Sequence, residues 1–195
     1  GNTTRRPKSD DGNQHLELTY DAWNRLVRAT DGVSTIVEYE YDARNYRVLE
    51  KTYVDGVLDE TRHYYYSDQW QVLEERVGNA ETADRQFVWG LRYVDDLVLR
   101  DRDTTGYGSL DEWLYALQDP NWNVTAIHSV DSYVEERFSY GAFGSPSASG
   151  AHYESALPRE LGWEFLFACR PRDRRIETEL LRHRLYAPAL GRFIR

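Results

Sequence analysis

Methionine is absent and cysteine occurs once. The lone thiol, Cys169, excludes an intramolecular disulfide and a thiolate metal cluster. Its apolar approach, Phe165-Leu166-Phe167-Ala168, marks it as a core residue rather than a nucleophile beside a base. Lysine is limited to Lys8 and Lys51, so nearly every cation is an arginine. Arginine stacks on aromatic rings and forks onto carboxylates, which suits a tyrosine-rich sheet. Six prolines in 195 residues argue against a disordered linker. No apolar run approaches the roughly 18 residues of a membrane span, so membrane insertion is not expected. No signal peptide opens the chain, but it begins with Gly1 and reads as a piece cut from something longer. Missing targeting signals therefore leave its compartment open.

Aromatic residues are what the chain has in quantity. Fifteen Tyr and six Trp stand among 41% hydrophobic residues, at a mean hydropathy of −0.74. Aromatic and β-branched side chains fit a pleated, half-buried surface, so the composition reads as globular and all-β. Net charge is −9, unevenly spread: from Arg159 to Arg195 nine Arg face five acids. Those arginines lie inside strand-like segments and are expected to pair with the acidic body, not with nucleic acid.

The body of the chain repeats itself. Leu18-Thr19-Tyr20-Asp21-Ala22-Trp23-Asn24-Arg25 is echoed by Tyr39-Glu40-Tyr41-Asp42-Ala43-Arg44-Asn45-Tyr46, and then by Tyr64-Tyr65-Tyr66-Ser67-Asp68. Tyr20, Tyr41 and Tyr66 step by 21 and 25 residues, periods that mark repeat arrays. Each unit reads as an aromatic strand, a turn opened by Asp, and a second strand ending at another turn (Asp31-Gly32, Asp55-Gly56). Asp21, Asp42 and Asp68 are the expected turn residues, since Asp bonds backbone N–H groups two residues on. Asn24 and Asn45 sit where a left-handed backbone is expected, which Asn tolerates. Weaker copies continue through Phe87–Tyr93, Leu114–Asp119 and Glu136–Gly144. Three regions follow: a loose terminus over 1–14, a repeat sheet over 15–154, and a distinct segment over 155–195. Ser145 to Gly150 reads as a flexible surface loop. In the last region Trp163, Phe165, Phe167 and Cys169 alternate with their neighbours, which predicts a strand burying that set on one face.

Few chemical sites emerge. The five His form no spaced pair for zinc, no Ser sits in a nucleophile elbow, and no phosphate loop is present. Asp95-Asp96 reads as a turn flank, because adjacent strand residues face opposite ways. One stretch, Asp101 to Glu112, fits the template D-x-[DN]-x-[DN]-G-x₅-E at every specified position except Thr105. Asp101, Asp103, Thr105, Tyr107 (through its carbonyl), Ser109 and Glu112 are thus candidate ligands for calcium, on a hairpin instead of an EF-hand. An acidic hairpin tip with no ion is the competing reading.

The Tyr-Asp units, taken with the C-terminal Trp163, Arg172-Asp173, Glu177-Thr178 and Gly191-Arg192-Phe193, resemble the Rhs (YD-repeat) family. The last region resembles the end of the Rhs repeat-associated core domain. That resemblance implies antiparallel hairpins wound into a spiralling sheet, here part of a β-shell. It implies a structural, non-enzymatic role in a secreted or cell-surface protein. Expected partners are the remainder of a larger shell polypeptide, and a toxin cargo or a surface ligand. The Asp-Pro-x-Gly self-cleavage motif of toxin carriers does not occur before the chain stops, and Cys169-Arg170 stands where the family has Gly and an aromatic. An adhesion module binding carbohydrate or protein through Tyr/Trp/Arg faces is the alternative. Exposed aromatic rows would favour adhesion and inward-facing ones the shell.

Overall fold

The structure is a computed structural model that describes residues 2–8, 15–153 and 161–194. Thirteen strands form one open sheet in strict chain order. They are β1 (Arg5–Pro7), β2 (His15–Tyr20), β3 (Leu26–Thr30), β4 (Thr35–Tyr41), β5 (Arg47–Val54), β6 (Val57–Tyr66) and β7 (Val72–Val77). The run continues through β8 (Arg85–Trp89), β9 (Leu97–Arg102), β10 (Glu112–Gln118), β11 (Val124–Ser129), β12 (Val134–Tyr140) and β13 (Pro146–Ser149). Every neighbouring pair is antiparallel, as expected for a hairpin array. Among the described residues there is no α-helix, only two short 3-10 turns at Phe167–Cys169 and Pro188–Leu190.

Period-two patterning decides which face turns inward. In β2, Leu16 and Leu18 are buried while Glu17 and Thr19 are exposed. In β4, Val37 and Tyr39 go in, and in β8, Arg85 and Phe87 do so while Gln86 and Val88 face out. A sheet buried on one face needs a second layer. Residues 161–194 supply it, including a small antiparallel sheet of β14 (Arg172–Asp173), β15 (Thr178–Leu181), β16 (Arg184–Ala187) and β17 (Arg192–Phe193). Ile176, Leu185, Ala187 and Ile194 pack against Leu16, Leu18, Leu26, Val37 and Tyr39. Trp163, Phe165, Leu166 and Cys169 pack against Phe87, Leu97, Leu114, Ile127 and Phe138. The C-terminal segment is thus a cap over the inner face of the strip.

Three sequence expectations need correction. The terminus is not loose at Arg5–Pro7, which pairs with His15–Glu17 as β1; residues 1 and 9–14 lie outside the described residues, as does the 154/155 boundary. Ser145 to Gly150 is not merely a loop, because Pro146–Ser149 pairs with β12 as the last strand. The alternating stretch from Trp163 to Arg170 is not a strand. Phe165 meets Pro171 in an isolated bridge, and Ala168 and Cys169 take φ of 50° and 49°. The chain doubles back there, which breaks the alternation: Leu166 is buried and Phe167 only partly so. Phe167 instead lies over Gly144, where its ring comes within 2.7 Å of the place any Cβ would occupy.

Candidate functional site

The repeated turns lie along one edge of the strip and share a construction. Asp21 Oδ1 accepts from the backbone N–H of Trp23 (2.9 Å) and Arg25 (2.8 Å). Asp42 Oδ1 does the same with Arg44 and Tyr46, both at 2.8 Å. Burial works against the Asp21 carboxylate, yet its bonds from Arg25 and Trp23 hold its pKa below the usual value. Asn24 and Asn45 both take φ of 67°. In the third repeat the accepting oxygen belongs to Ser67, bonded from Gln69 N and Gln71 N at 3.1 and 3.3 Å. Asp68 sits one place further on, in the turn but not capping it. Asp119 repeats the motif with Asn121 and Asn123. Trp70 and Trp122 then occupy the left-handed position, with φ of 68° and 65°.

Along this edge the ladder slips by one residue beside each turn, leaving a bulge. The aromatic that precedes the next turn donates to the carbonyl of the residue beside the bulge. Tyr41 OH reaches Leu26 O at 2.8 Å, Tyr66 OH reaches Arg47 O at 3.0 Å, Trp89 Nε1 reaches Val72 O at 2.7 Å and Tyr140 OH reaches Val124 O at 2.5 Å. Tyr20 OH binds Thr3 O in the same way, at 3.0 Å. These bonds fasten strand ends that no hairpin joins on this edge. A second set links turn to turn: Arg25 Nη1 to Asp42 O, Tyr46 OH to Asp68 O, and Gln71 Nε2 to Val94 O. Tyr-Asp pairs were visible in the sequence; the carbonyls they bind were not.

Between strip and cap runs a belt of buried ion pairs. The Arg47 guanidinium lies between the rings of Tyr39 and Tyr64, 5.0 and 5.2 Å away, and Nη1 is 3.3 Å from Glu50 and 3.6 Å from Asp173. Tyr39 OH donates to Asp173 Oδ2 at 2.5 Å, and Arg175 Nη1 meets Glu50 Oε1 at 3.2 Å. Arg85 bridges Glu75 and Glu164 at 3.2 and 3.1 Å, while Arg170 pairs with Asp95 at 2.6 Å. Arg100 and Arg102 both bind Glu112 and donate to the carbonyls of Gly162 and Leu161. Burial raises Glu50 to about 7 even though Arg47 opposes it. Glu179, 0% exposed and 3.6 Å from Arg172, is pushed up to about 8 by burial. Burial likewise carries Cys169 up to about 12, the condition of an inert core thiol.

The C-terminal signature residues serve the cap. Trp163 is fully buried, with the Arg100 guanidinium 5.2 Å from its ring. Asp173 joins β14 to the belt, and Arg172 faces Glu179. Gly191 takes φ of 60° with the Phe143 ring 3.0 Å from its Cβ position, so a side chain there would collide. Phe193 lies under Arg184 and edge-on to Tyr186, while Arg192 is exposed.

The calcium-template residues are not gathered around one point. Asp103 accepts from Thr105 N, Thr105 Oγ1, Gly106 N and Gly108 N at 2.5–2.9 Å. Against a desolvation cost, those bonds hold its pKa down to about 2. Asp111 accepts from Thr104, and Glu112 is taken by Arg100 and Arg102. Asp101 is partly buried on β9, and Thr105, Tyr107 and Ser109 are exposed. Among the described residues no group of three His, Cys, Asp or Glu side chains could hold a metal ion. As arranged here, the donor set does not fit a calcium ion. Asp95 and Asp96 do lie by the β8–β9 turn, but both are buried, paired with Arg170 and Arg92 respectively.

Residues 20–58, two of these strand-and-turn units, match the family model described as RHS Repeat. Over that stretch the chain is similar to RHS repeats. Solved structures extend the likeness in fold. The structure titled TcdB2-TccC3-Cdc42 matches 92% of this chain at a TM-score of 0.64 and 13% identity. The structure titled TcdB2-TccC3-TEV matches the same share at 0.63 and 14%. TcdB2-TccC3 without its hypervariable C-terminal region gives 0.63 and 12%. In each case this chain spans 9% of the other chain. No curated protein matches it in sequence.

Proposed function

We propose that this chain is a load-carrying wall segment of a larger β-shell, with a structural rather than catalytic role. The observation that carries this reading is the uninterrupted order of the strip, in which the residue before each of these turns, an aromatic at β4, β6, β8 and β12 and Gln118 at β10, is bonded to a backbone carbonyl of the preceding unit. Such a strip extends by adding identical units, each of which contacts only its neighbours. The aromatic faces support the shell over adhesion: Tyr39, Tyr64, Phe87, Phe138 and Trp163 turn inward, and the Tyr-Asp aromatics are used up on backbone carbonyls. The cap makes this stretch a closed end of the wall, its inner face already covered. The shell's parent polypeptide acts outside the cytoplasm, and its cargo is a toxin segment lying beyond this stretch.

The test is to express the full reading frame that contains this stretch and to image the product by electron microscopy. A hollow particle whose wall includes this strip is expected. A solid or elongated particle with no enclosed space would overturn the proposal. Sequence downstream of Arg195 decides the cargo: an Asp-Pro-x-Gly motif followed by an unrelated domain supports a toxin, and continued repeats oppose it.

A further inference from the structure

Cap and strip leave between them a cleft of about 300 Å³ lined by Arg47, Glu50, Gly162, Glu164, Arg172, Asp173, Arg174 and Arg175. Its two signs of charge are not equally spent. Asp173 accepts from Tyr39 OH and from the backbone N–H of Arg175. Glu164 accepts from Arg85, and Glu50 lies between Arg47 and Arg175. The guanidinium groups keep donors in reserve. Arg47 is 7% exposed, and its Nε is buried without a hydrogen-bond partner. Arg172 Nη1 is likewise without one, its ion pair with Glu179 being too long at 3.6 Å. Arg174 and Arg175 line the cleft from exposed positions; Arg174 Nη2 donates to Trp163 O at 2.9 Å and Arg175 Nη1 to Glu50, which leaves each guanidinium further N–H donors.

Buried N–H donors call for acceptors. Planar guanidinium forks match oxyanions in geometry as well as charge. The volume falls at the small end of ligand sites, which run from roughly 300 to 1,000 Å³. We propose that this cleft binds a small oxyanion, a sulfate- or phosphate-like group or a carboxylate, with Arg47 and Arg172 at its floor and Arg174 and Arg175 at its mouth. The ligand is small because the cleft holds only about 300 Å³. The site is independent of any shell: it is complete within this chain, so its failure would leave the wall reading untouched.

The experiment is equilibrium binding of sulfate and, separately, of succinate to the whole chain, with ionic strength held constant by chloride. One saturable site per chain is expected for at least one probe, and the better probe distinguishes a tetrahedral oxyanion from a carboxylate. Arg174→Ala and Arg175→Ala should each weaken it about tenfold, the scale of one lost charge-assisted contact. Arg44→Ala, on an exposed turn, should leave it unchanged. If an alanine variant fails to fold by its melting curve, Arg174→Lys and Arg175→Lys make the same comparison, keeping charge and losing the fork. Sulfate keeps its charge between pH 8 and 6, so its binding should tighten over that fall as Glu50 takes up a proton. The proposal is overturned if neither probe saturates, or if both mouth variants bind as the wild type does.

Discussion

Tyr41 donates its hydroxyl to the carbonyl of Leu26, 2.8 Å away on the neighbouring strand, beside the residue where the ladder slips. The bond explains why tyrosine precedes aspartate in the repeat. Aspartate shapes the turn, the turn forces a bulge, and the tyrosine of the next unit fastens the strand end there. Tyr41→Phe keeps the ring and removes the donor. It should cost about 1–3 kcal/mol in urea denaturation, the range for a part-buried acceptor left unsatisfied. Tyr66→Phe should behave alike. A loss below about 0.3 kcal/mol in both would show that the ring alone matters.

The turn itself gives a sharper comparison. Asp42→Ala removes the acceptor of two backbone N–H groups and should cost about 1 kcal/mol. Ser67→Ala should show a smaller loss of the same kind, while Asp68→Ala should fall within about 0.5 kcal/mol of zero as an ordinary surface change. Asn45→Ala places an alanine at φ of 67° and should cost roughly 1–2 kcal/mol, which Asn45→Gly should not. Thermal melts of the five variants check the order. Equal losses for Ser67→Ala and Asp68→Ala would return the capping role to the aspartate.

The repeat strands and the turn positions were legible because period-two alternation and Asp/Asn turn chemistry are local signals. Asp68 misled because it stands beside the Ser67 hydroxyl, which does the same bonding at shorter reach. The C-terminal region was set apart in the sequence, but its shape as a cap was not legible there. Trp163 to Arg170 alternates like a strand, and only the left-handed residues Ala168 and Cys169 undo that pattern, without a glycine to announce them. The belt lay out of reach for another reason: Arg47 and Asp173 are far apart in sequence, and no local rule pairs them. The calcium template matched by spacing, yet Glu112 is drawn to Arg100 and Arg102 by strand pairing that the template ignores.

The reversal at the cap changes which phenylalanine matters. Phe165 is 4% exposed and packs edge-on to Phe87 and Trp89. Phe165→Ala should therefore cost roughly 3–5 kcal/mol as a core truncation. Phe167, only partly buried, should lose clearly less when truncated. Urea titrations of the two variants decide it, and the opposite ranking would restore the uninterrupted strand.

Calcium offers a test of the acidic loop. Asp103 and Asp111 are engaged by the loop's own N–H and hydroxyl groups, and Glu112 by two arginines. Millimolar calcium and chelator should therefore give the same melting temperature, while Asp103→Ala should lower it equally in both. A calcium-dependent rise absent from Asp101→Ala would reinstate the ion, with linkage worth about 2.7 kcal/mol at 100-fold saturation.

The last prediction follows from Glu179, wholly buried in the cap with Arg172 at 3.6 Å. Its pKa is raised from 4.5 to about 8 in the folded chain, so folding favours the protonated form. The stabilisation this provides is fully present below about 4.5 and is lost as pH rises towards about 8. Glu50, raised to about 7, adds a change of the same sign over a narrower window. Glu179→Gln keeps the neutral shape without the proton. The stability gap between variant and wild type should therefore grow in the variant's favour from pH 5 to pH 8, by roughly 1–4 kcal/mol. Lowered carboxylates elsewhere, such as Asp21, move the other way, so only the difference between the two proteins isolates the group. Urea unfolding at several pH values across that window measures it, and a gap that stays flat would mean Glu179 is ionised and paired with Arg172 throughout.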